Sequence, residues 1–478
     1  MMARMRRVYL AVDQGGHASR ALLFDAAGRP MAKGLRDVRE RRIRPGWVEQ
    51  DAEELVTSIR AVAAEVVERI GEVPAAAGMA TQRSSVVCWD RSTGEALSPV
   101  LSWQDRRAHA WLASVAEHAE TIRRKTGLHL TAHYGASKLR WCLQNLDRVK
   151  RARVEGRLMC GPLAAFLAFR LLAGGPTLVD PANAARTLLW NLHDLDWDPE
   201  LLELFQVPRD VLPDSVPTRH EFGTFDCAGS RIPMTIVTGD QSAALFAHGF
   251  PDERTAYLNL GTGAFVQRVV RADPGAPPGL LTGVVLRDRD EVTWVVEGTV
   301  NGAGSALSRV GGELGLTDVD RHLSEWLERV VDPPLYVNGV SGLGSPYWIP
   351  DLESRFVGDG EPWEKMAAVA ESIVFLVAIN IESLRRCGSD FDRVLATGGL
   401  AWNDALCRRL ADLTGLPVDR PDEYEATARG TAYLVAGRPV VWSAPESFRR
   451  FSPRDDPGLA ARFERFREVL ESAIRGRN

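Results

Sequence analysis

The chain has 478 residues, too many for one hydrophobic core, so two domains are expected. Its 45% hydrophobic and 25% charged content is ordinary for a globular protein. A net charge of -5 offers no lysine and arginine surplus to neutralise phosphates, which argues against a nucleic-acid or anionic-membrane partner.

Residues 1–7 are basic, but only residues 8–12 follow as an apolar segment, too short for a secretion signal. That segment reads as a strand entering the turn Asp13-Gln14-Gly15-Gly16, and a second strand leaves at 20–25. Strand, glycine turn and strand make a hairpin whose turn offers several backbone N–H groups to one point. Residues 52–70 have helical spacing with Asp51 as cap. Residues 108–126, 137–146 and 163–172 read as helices, 180–187 as a loop, and the stretch through Pro208, Pro213 and Pro217 as an extended connection. The apolar runs 163–173 and 373–381 are too short to span a bilayer. Six cysteines lie far apart with no CxxC pair, as reduced core thiols do, and the expected location is the cytoplasm.

Near the midpoint an apolar run, 232–237, stops at Gly239, Asp240 follows, and small residues 242–246 begin a helix. Asp240 then stands at a strand's carboxyl end and a helix's amino end, where α/β folds place their chemistry. A lone aspartate there reads first as an N-cap. The sequence beyond it changes that reading. Residues 255–260, the turn Gly261-Thr262-Gly263 and residues 265–270 repeat the opening hairpin, so the chain reads as two halves of similar build. Helices are expected over 302–314, 319–330, 365–387 and 403–414, with a strand at 394–397 ending in Gly398-Gly399 and an amphipathic end over 452–475. No Gly-x-Gly-x-x-Gly, no Gly-Lys pair, no zinc-like histidine spacing and no nucleophile elbow is present.

Phosphoryl transfer without a P-loop needs backbone donors around the phosphates, an acid to organise Mg²⁺ and a base aimed at the acceptor hydroxyl. Two glycine hairpins with Asp13 and Asp240 supply that set. In this light the sequence resembles the FGGY carbohydrate kinases, and among them the glycerol kinases. The resemblance runs almost end to end. It covers Val12-Asp13-Gln14-Gly15 with Ser19-Arg20, the segment 45–51, Gln82-Arg83, Trp103-Gln104-Asp105-Arg106-Arg107 and Asn183-Ala184-Ala185-Arg186-Thr187. It continues with Gly239-Asp240-Gln241, Gly261-Thr262-Gly263, the segment 342–348 and Gly398-Gly399.

The resemblance implies an α/β fold of two actin-like/ribonuclease-H-like domains, 1–246 and 247–478, with ATP in the cleft between them. It implies Asp240 as general base and Asp13 with Asp240 at Mg²⁺. Gln14, Gly15, Gly16, His17, Arg20, Gly261, Thr262 and Gly263 fall on the phosphates, and Gly398, Gly399 and Asn403 beside the adenosine. Arg83, Ser84, Trp103, His133, Tyr134, Asp240, Gln241 and Phe265 fall on a small polyol or sugar, and a homo-oligomer, dimer or tetramer, is implied. Glu297-Gly298 fits the family without an assigned role.

Three departures bear on function. Gly16-His17 stand where the family has hydroxyl residues, Ser84 where glycerol kinases have glutamate, and His133 where they have tyrosine. The last two point to an acceptor other than glycerol and somewhat larger. Two alternatives remain: glycerol kinase proper, and a nucleotide-binding regulator that lost efficient transfer, for which the Gly16-His17 turn is the only support.

Overall fold

The structure is a computed structural model describing residues 7–388, 390–422, 425–443 and 447–476; the basic start at 1–6 lies outside the described residues. One sheet contains β1 (Val8–Gln14), β2 (Ala18–Asp25), β3 (Pro30–Asp37), β4 (Ala76–Thr81), β5 (Arg219–Cys227) and β6 (Ser230–Gly239), in the order β5-β6-β4-β1-β2-β3. The other contains β7 (Thr255–Leu260), β8 (Ala264–Val270), β9 (Leu281–Asp288), β10 (Glu291–Val300), β11 (Arg393–Thr397), β12 (Val418–Pro421) and β13 (Phe448–Phe451). Its order is β9-β10-β8-β7-β11-β12-β13. In each sheet an antiparallel trio continues into two strands parallel to its first: β3-β2-β1-β4-β6, then β10-β8-β7-β11-β12. The echo heard in the sequence is this repeated sheet.

Every residue of β1 is buried, because helices cover both faces of its sheet and a central strand so placed shows no polar alternation. On one face lies α1 (Ala52–Ile70), which buries Leu55, Ile59, Val62 and Val66; Asp51 caps it, accepting from the N–H groups of Glu53 and Glu54 at 2.9 and 3.1 Å. On the other lies the helix Ala426–Val435, supplied by the second half of the chain. It crosses the short helix Asp240–Ala244 so closely that a Cβ on Gly430 would stand 1.8 Å from the Ala243 carbonyl oxygen. Glycine is required there.

Two sequence expectations change. Residues 108–126 begin as a 3-10 helix, His109–His118, and become α-helical only over Ala119–Thr126. The expected loop 180–187 is a helical turn, Pro181–Ala184 capped by Asp180, followed by the 3-10 turn Ala185–Thr187. The amphipathic end expected over 452–475 is the helix Pro457–Arg475, with strand β13 just before that range. The helix expected over 365–387 is present as Pro362–Arg385, 24 residues; unlike the run 373–381 alone it is long and apolar enough to cross a membrane, yet 94% of its apolar window is buried in the protein. It outgrows the apolar run because Glu371 finds Arg409 and Arg462 inside the core, at 3.1 and 2.7 Å. The six cysteines are free, five of them buried.

Candidate active site

Register decides what meets at the sheet edges. Gln14 of β1 pairs with Thr81 of β4, and Thr81 with Gly239 of β6, so three parallel strands end level. The Gly15-Gly16 turn, Gln82-Arg83-Ser84 and Asp240-Gln241 therefore leave the first sheet along one edge. In the second sheet Asn259 pairs with Thr397, which brings Gly261-Thr262-Gly263 and Gly398-Gly399 out together.

The two glycine turns are held by their carbonyls. Gly15 O accepts from Gln14 Nε2 at 2.9 Å, Gly16 O from Gln50 Nε2 at 2.7 Å and His17 O from the Val38 N–H at 2.9 Å. In the second turn Gly261 O accepts from Gly304 N at 3.0 Å, Gly263 O from Gly261 N at 2.9 Å, and Thr262 O from the N–H groups of Ala303 and Ser305, both at 3.1 Å. The N–H groups of Gly16, His17, Thr262 and Gly263 have no backbone acceptor among the described residues. Such turns, their oxygens tied back and their N–H groups free, suit phosphate oxygens. Gln14 itself is fully buried, its Oε1 taken by Ser19 Oγ at 2.6 Å, so it holds the turn from behind. His17 is exposed beside it.

Two carboxyls stand at this edge. Asp13, with 8% of its side chain exposed, accepts from Arg20 Nη1 at 3.3 Å; Arg20 in turn lies 3.7 Å from Glu425, which also binds Lys33. Burial and the neighbouring Asp240 charge push Asp13 up to about 7 against the pull of Arg20. Burial also raises Asp240, and Arg83 opposes the shift from 3.9 Å. Asp240 Oδ1 accepts the Gln241 N–H at 2.7 Å, while 30% of the side chain remains open to the cleft. Two carboxyls both raised by burial, Asp13 also by the charge of Asp240, are a fitting place for a divalent cation, whose charge relieves both.

On the acceptor side Arg83 bonds to Gln241 and reaches Glu297 at 4.0 Å. Burial and Arg186 lower its pKa to about 10, leaving it charged at neutral pH. Glu297, which sequence reasoning left without a role, is the hub of this side: it is 1% exposed, accepts from Gln267 Nε2 at 2.7 Å and faces Arg186 at 3.4 Å. Burial alone would raise it, but Arg186 and Arg83 hold it below the usual carboxylate range. Tyr134 is buried and bonds to Arg186. The His133 ring packs on Trp103 at 5.6 Å, and burial, followed by the charges of Arg106 and Lys138, drives its pKa well down, so it is neutral. Ser84 sits in the left-handed region, φ 63, with its Oγ buried and unpartnered. Lys138, a second residue missed in the sequence, pins this loop by donating to the Ser84 and Ser102 carbonyls at 2.8 and 3.0 Å. Phe265 is half-buried on β8, opposite Asn259.

At the third strand end Gly398 has φ 91, and a Cβ there would lie 2.4 Å from Leu260 O, while Gly399 has open space around it. Asn403 caps the helix Asp404–Thr414 through Oδ1 at 3.0 Å from Leu406 N. Among the described residues no group of three metal-ligating side chains exists, so a cation here would rest on Asp13, Asp240, water and bound phosphate oxygens.

Comparison with known proteins agrees with this geometry. Residues 8–247 match the N-terminal domain of the FGGY family of carbohydrate kinases, and residues 256–437 its C-terminal domain. The chain is 35% identical over 467 residues to a glycerol kinase of Alkalilimnicola ehrlichii, covering 93% of this chain and 94% of the relative. It is 33% identical over 472 residues to a glycerol kinase of Delftia acidovorans, covering 94% and 95%. Among solved structures, Plasmodium falciparum glycerol kinase with ADP aligns at TM-score 0.89 and 23% identity over 98% of both chains. A xyloylose kinase from Brucella ovis aligns at TM-score 0.86 and 20% identity, over 99% of this chain and 100% of its own. The fold is that of these two-domain α/β kinases. With both halves matched in order and a third of the residues shared with relatives of equal length, the chain belongs to the FGGY family of carbohydrate kinases.

Proposed function

We propose that Asp240 is the general base of an ATP-dependent kinase acting on a hydroxyl of a polyol or sugar larger than glycerol. The observation that carries this reading is the level ending of β1, β4 and β6, which gathers a phosphate turn, Arg83 and Asp240 at one edge. In the transfer, the acceptor oxygen bonds the γ-phosphorus as its proton passes to Asp240. The bond from the γ-phosphorus to the β–γ bridging oxygen breaks, and its electron pair leaves with ADP. Asp13 and Asp240 are the residues to hold Mg²⁺, which supplies positive charge against that developing on the phosphate oxygens.

The chain's own groups do the rest. The Gln241 N–H fixes the Asp240 carboxylate, and Arg83 opposes the rise in its pKa that burial causes. Arg83, Glu297, Arg186 and Tyr134 form a charged wall able to bind several hydroxyls at once. Trp103 and the neutral His133 give an apolar face suited to the C–H side of a carbon chain. Ser84, too short to fill the place of a carboxylate side chain, leaves room for a longer acceptor. Closure of the halves over the substrates excludes water as a competing acceptor. The proposed division into domains 1–246 and 247–478 follows the two sheets.

The test is ADP release from Mg·ATP against a panel of polyols, ketoses and aldoses including glycerol, with Asp240→Asn as control. One strong responder other than glycerol is expected, and Asp240→Asn is expected to lower its turnover by about 10²–10⁴-fold while still binding ADP. Tight glycerol binding with normal turnover removes the larger acceptor. Silence across the panel with ADP still bound favours the regulator.

A further inference from the structure

The first glycine turn is tied to a segment that the chemistry above does not use. Gln50, 1% exposed at the end of the strand Trp47–Gln50, donates Nε2 to the Gly16 carbonyl at 2.7 Å. A carbonyl only accepts, so the orientation of the Gln50 amide is fixed, with Oε1 turned away from the turn. That oxygen receives Gln82 Nε2 at 2.6 Å. Gln82 is 2% exposed and its N–H also donates to Gln14 O at 2.8 Å. The next residue is Arg83, bonded to Gln241 beside Asp240. A continuous run of amides therefore joins the turn to the acceptor loop.

The turn needs such a tie. Gly15 and Gly16 in succession have the largest backbone freedom of any pair, and neither has a side chain to pack. Without Gln50 the Gly16 carbonyl has no donor among the described residues, and its peptide plane is free to rotate the neighbouring N–H out of line.

We propose that Gln50 is a positioning residue for phosphoryl transfer, which through Gly16 and Gln82 fixes the phosphate turn relative to the loop carrying Arg83. This rests on the kinase reading, with the first turn at the phosphates. The run also has an unused end: Gln82 Oε1 is buried without a partner and faces the missing side chain of Gly16. A Cβ on Gly16 would lie 3.6 Å from that oxygen and 3.8 Å from Trp103 Nε1, both ordinary contacts. A serine hydroxyl there has a donor and an acceptor within reach, and offers a second way to hold the turn.

The test measures ADP affinity by calorimetry, steady-state kinetics and thermal unfolding on the full chain. Gln50→Leu is expected to unfold near the wild-type temperature, weaken ADP about fivefold to tenfold and lower kcat/KM for ATP by more than that. The KM for the acceptor should move less than the KM for ATP. Adding Gly16→Ser to Gln50→Leu is expected to recover at least half of the lost ADP affinity. Should Gln50→Leu fail to fold, Gln50→Glu carries the test: it keeps the bond from Gln82, sets an acceptor against the Gly16 carbonyl, and is expected to lose as much. Folded Gln50 variants with ADP affinity and the ATP KM within twofold of wild type overturn the proposal. A wild type that binds ADP but transfers nothing overturns the kinase reading instead.

Discussion

Around the first turn, two of three carbonyls are held by side-chain amides, Gln14 and Gln50, the latter from a separate strand. Around the second, the same three positions are held by backbone N–H groups, most of them from the start of the helix Gly304–Glu313; Ser305 Oγ adds a bond to Thr262 O at 3.0 Å. The charge at the two turns differs as well. Asp13, two residues before Gly15, corresponds to Asn259, two residues before Gly261, and Asn259 makes only a neutral 3.4 Å bond to Thr397. The repeated sheet thus builds two similar turns, of which the proposed function gives one to chemistry and the other to grip. A cradle held by distant side chains is exposed to mutation; one held by its own helix start is not.

The sharpest way to break this contrast is Asp13→Asn, which gives the first turn the neutral residue of the second. Turnover is expected to fall by about 10²–10³-fold, since a preorganised charge at the reacting phosphates is lost. Stability should move the other way. Asp13 has a folded pKa raised to about 7, above its unfolded value near 3.9, so between those values the native state keeps a proton that the unfolded chain has released. This group therefore costs stability as pH rises through that window, and the full cost stands above it. Asp13→Asn removes it. A gain of about 2 kcal/mol is expected at pH 8, shrinking toward pH 4, after allowing for the lost Arg20 bond. Chemical denaturation of both proteins at the two pH values measures it; a variant less stable at pH 8 refutes the account.

The same titration predicts a smaller effect on metal dependence. A protonated Asp13 is neutral and gives Mg²⁺ no charge to pair with, so the Mg²⁺ needed for half-maximal rate should fall as pH rises from 6 to 8, by about tenfold at most. The profile of Asp13→Asn carries the titration of ATP alone, so subtracting it leaves the contribution of Asp13. An identical slope in Asp13→Asn would break the assignment of the effect to the first turn.

Much of this was legible in the sequence, and the limits have physical causes. The glycine turns, Asp13 and Asp240 could be read because each sits where a strand must stop, and strand ends are marked by composition; Arg83 was reached only through the resemblance, as part of Gln82-Arg83. Glu297 was not read, because a glutamate inside an apolar strand carries no periodic signal; its meaning depends on Arg186, 111 residues earlier, being brought to 3.4 Å. Lys138 escaped for the same reason: its partners are backbone carbonyls, which leave no trace in sequence. The turn 180–187 read as a loop because its residues are small and polar, whereas Asp180 and Pro181 set a cap and first turn that fold it into a helix.

The smallest expected effect is also the cleanest check on how the second turn is held. Ser305→Ala removes the only side-chain hydrogen bond to the Thr262 carbonyl among the described residues and leaves two backbone donors, Ala303 N and Ser305 N, both at 3.1 Å. An acceptor already satisfied twice gains little from a third donor on an exposed side chain, so ADP affinity and the KM for ATP should change by less than about threefold. Gln50→Leu, which removes the only donor to the Gly16 carbonyl among the described residues, should cost more on the same assay. If the two variants lose equally, side chains govern both cradles alike, and the division between a turn held from afar and a turn held by its own helix fails.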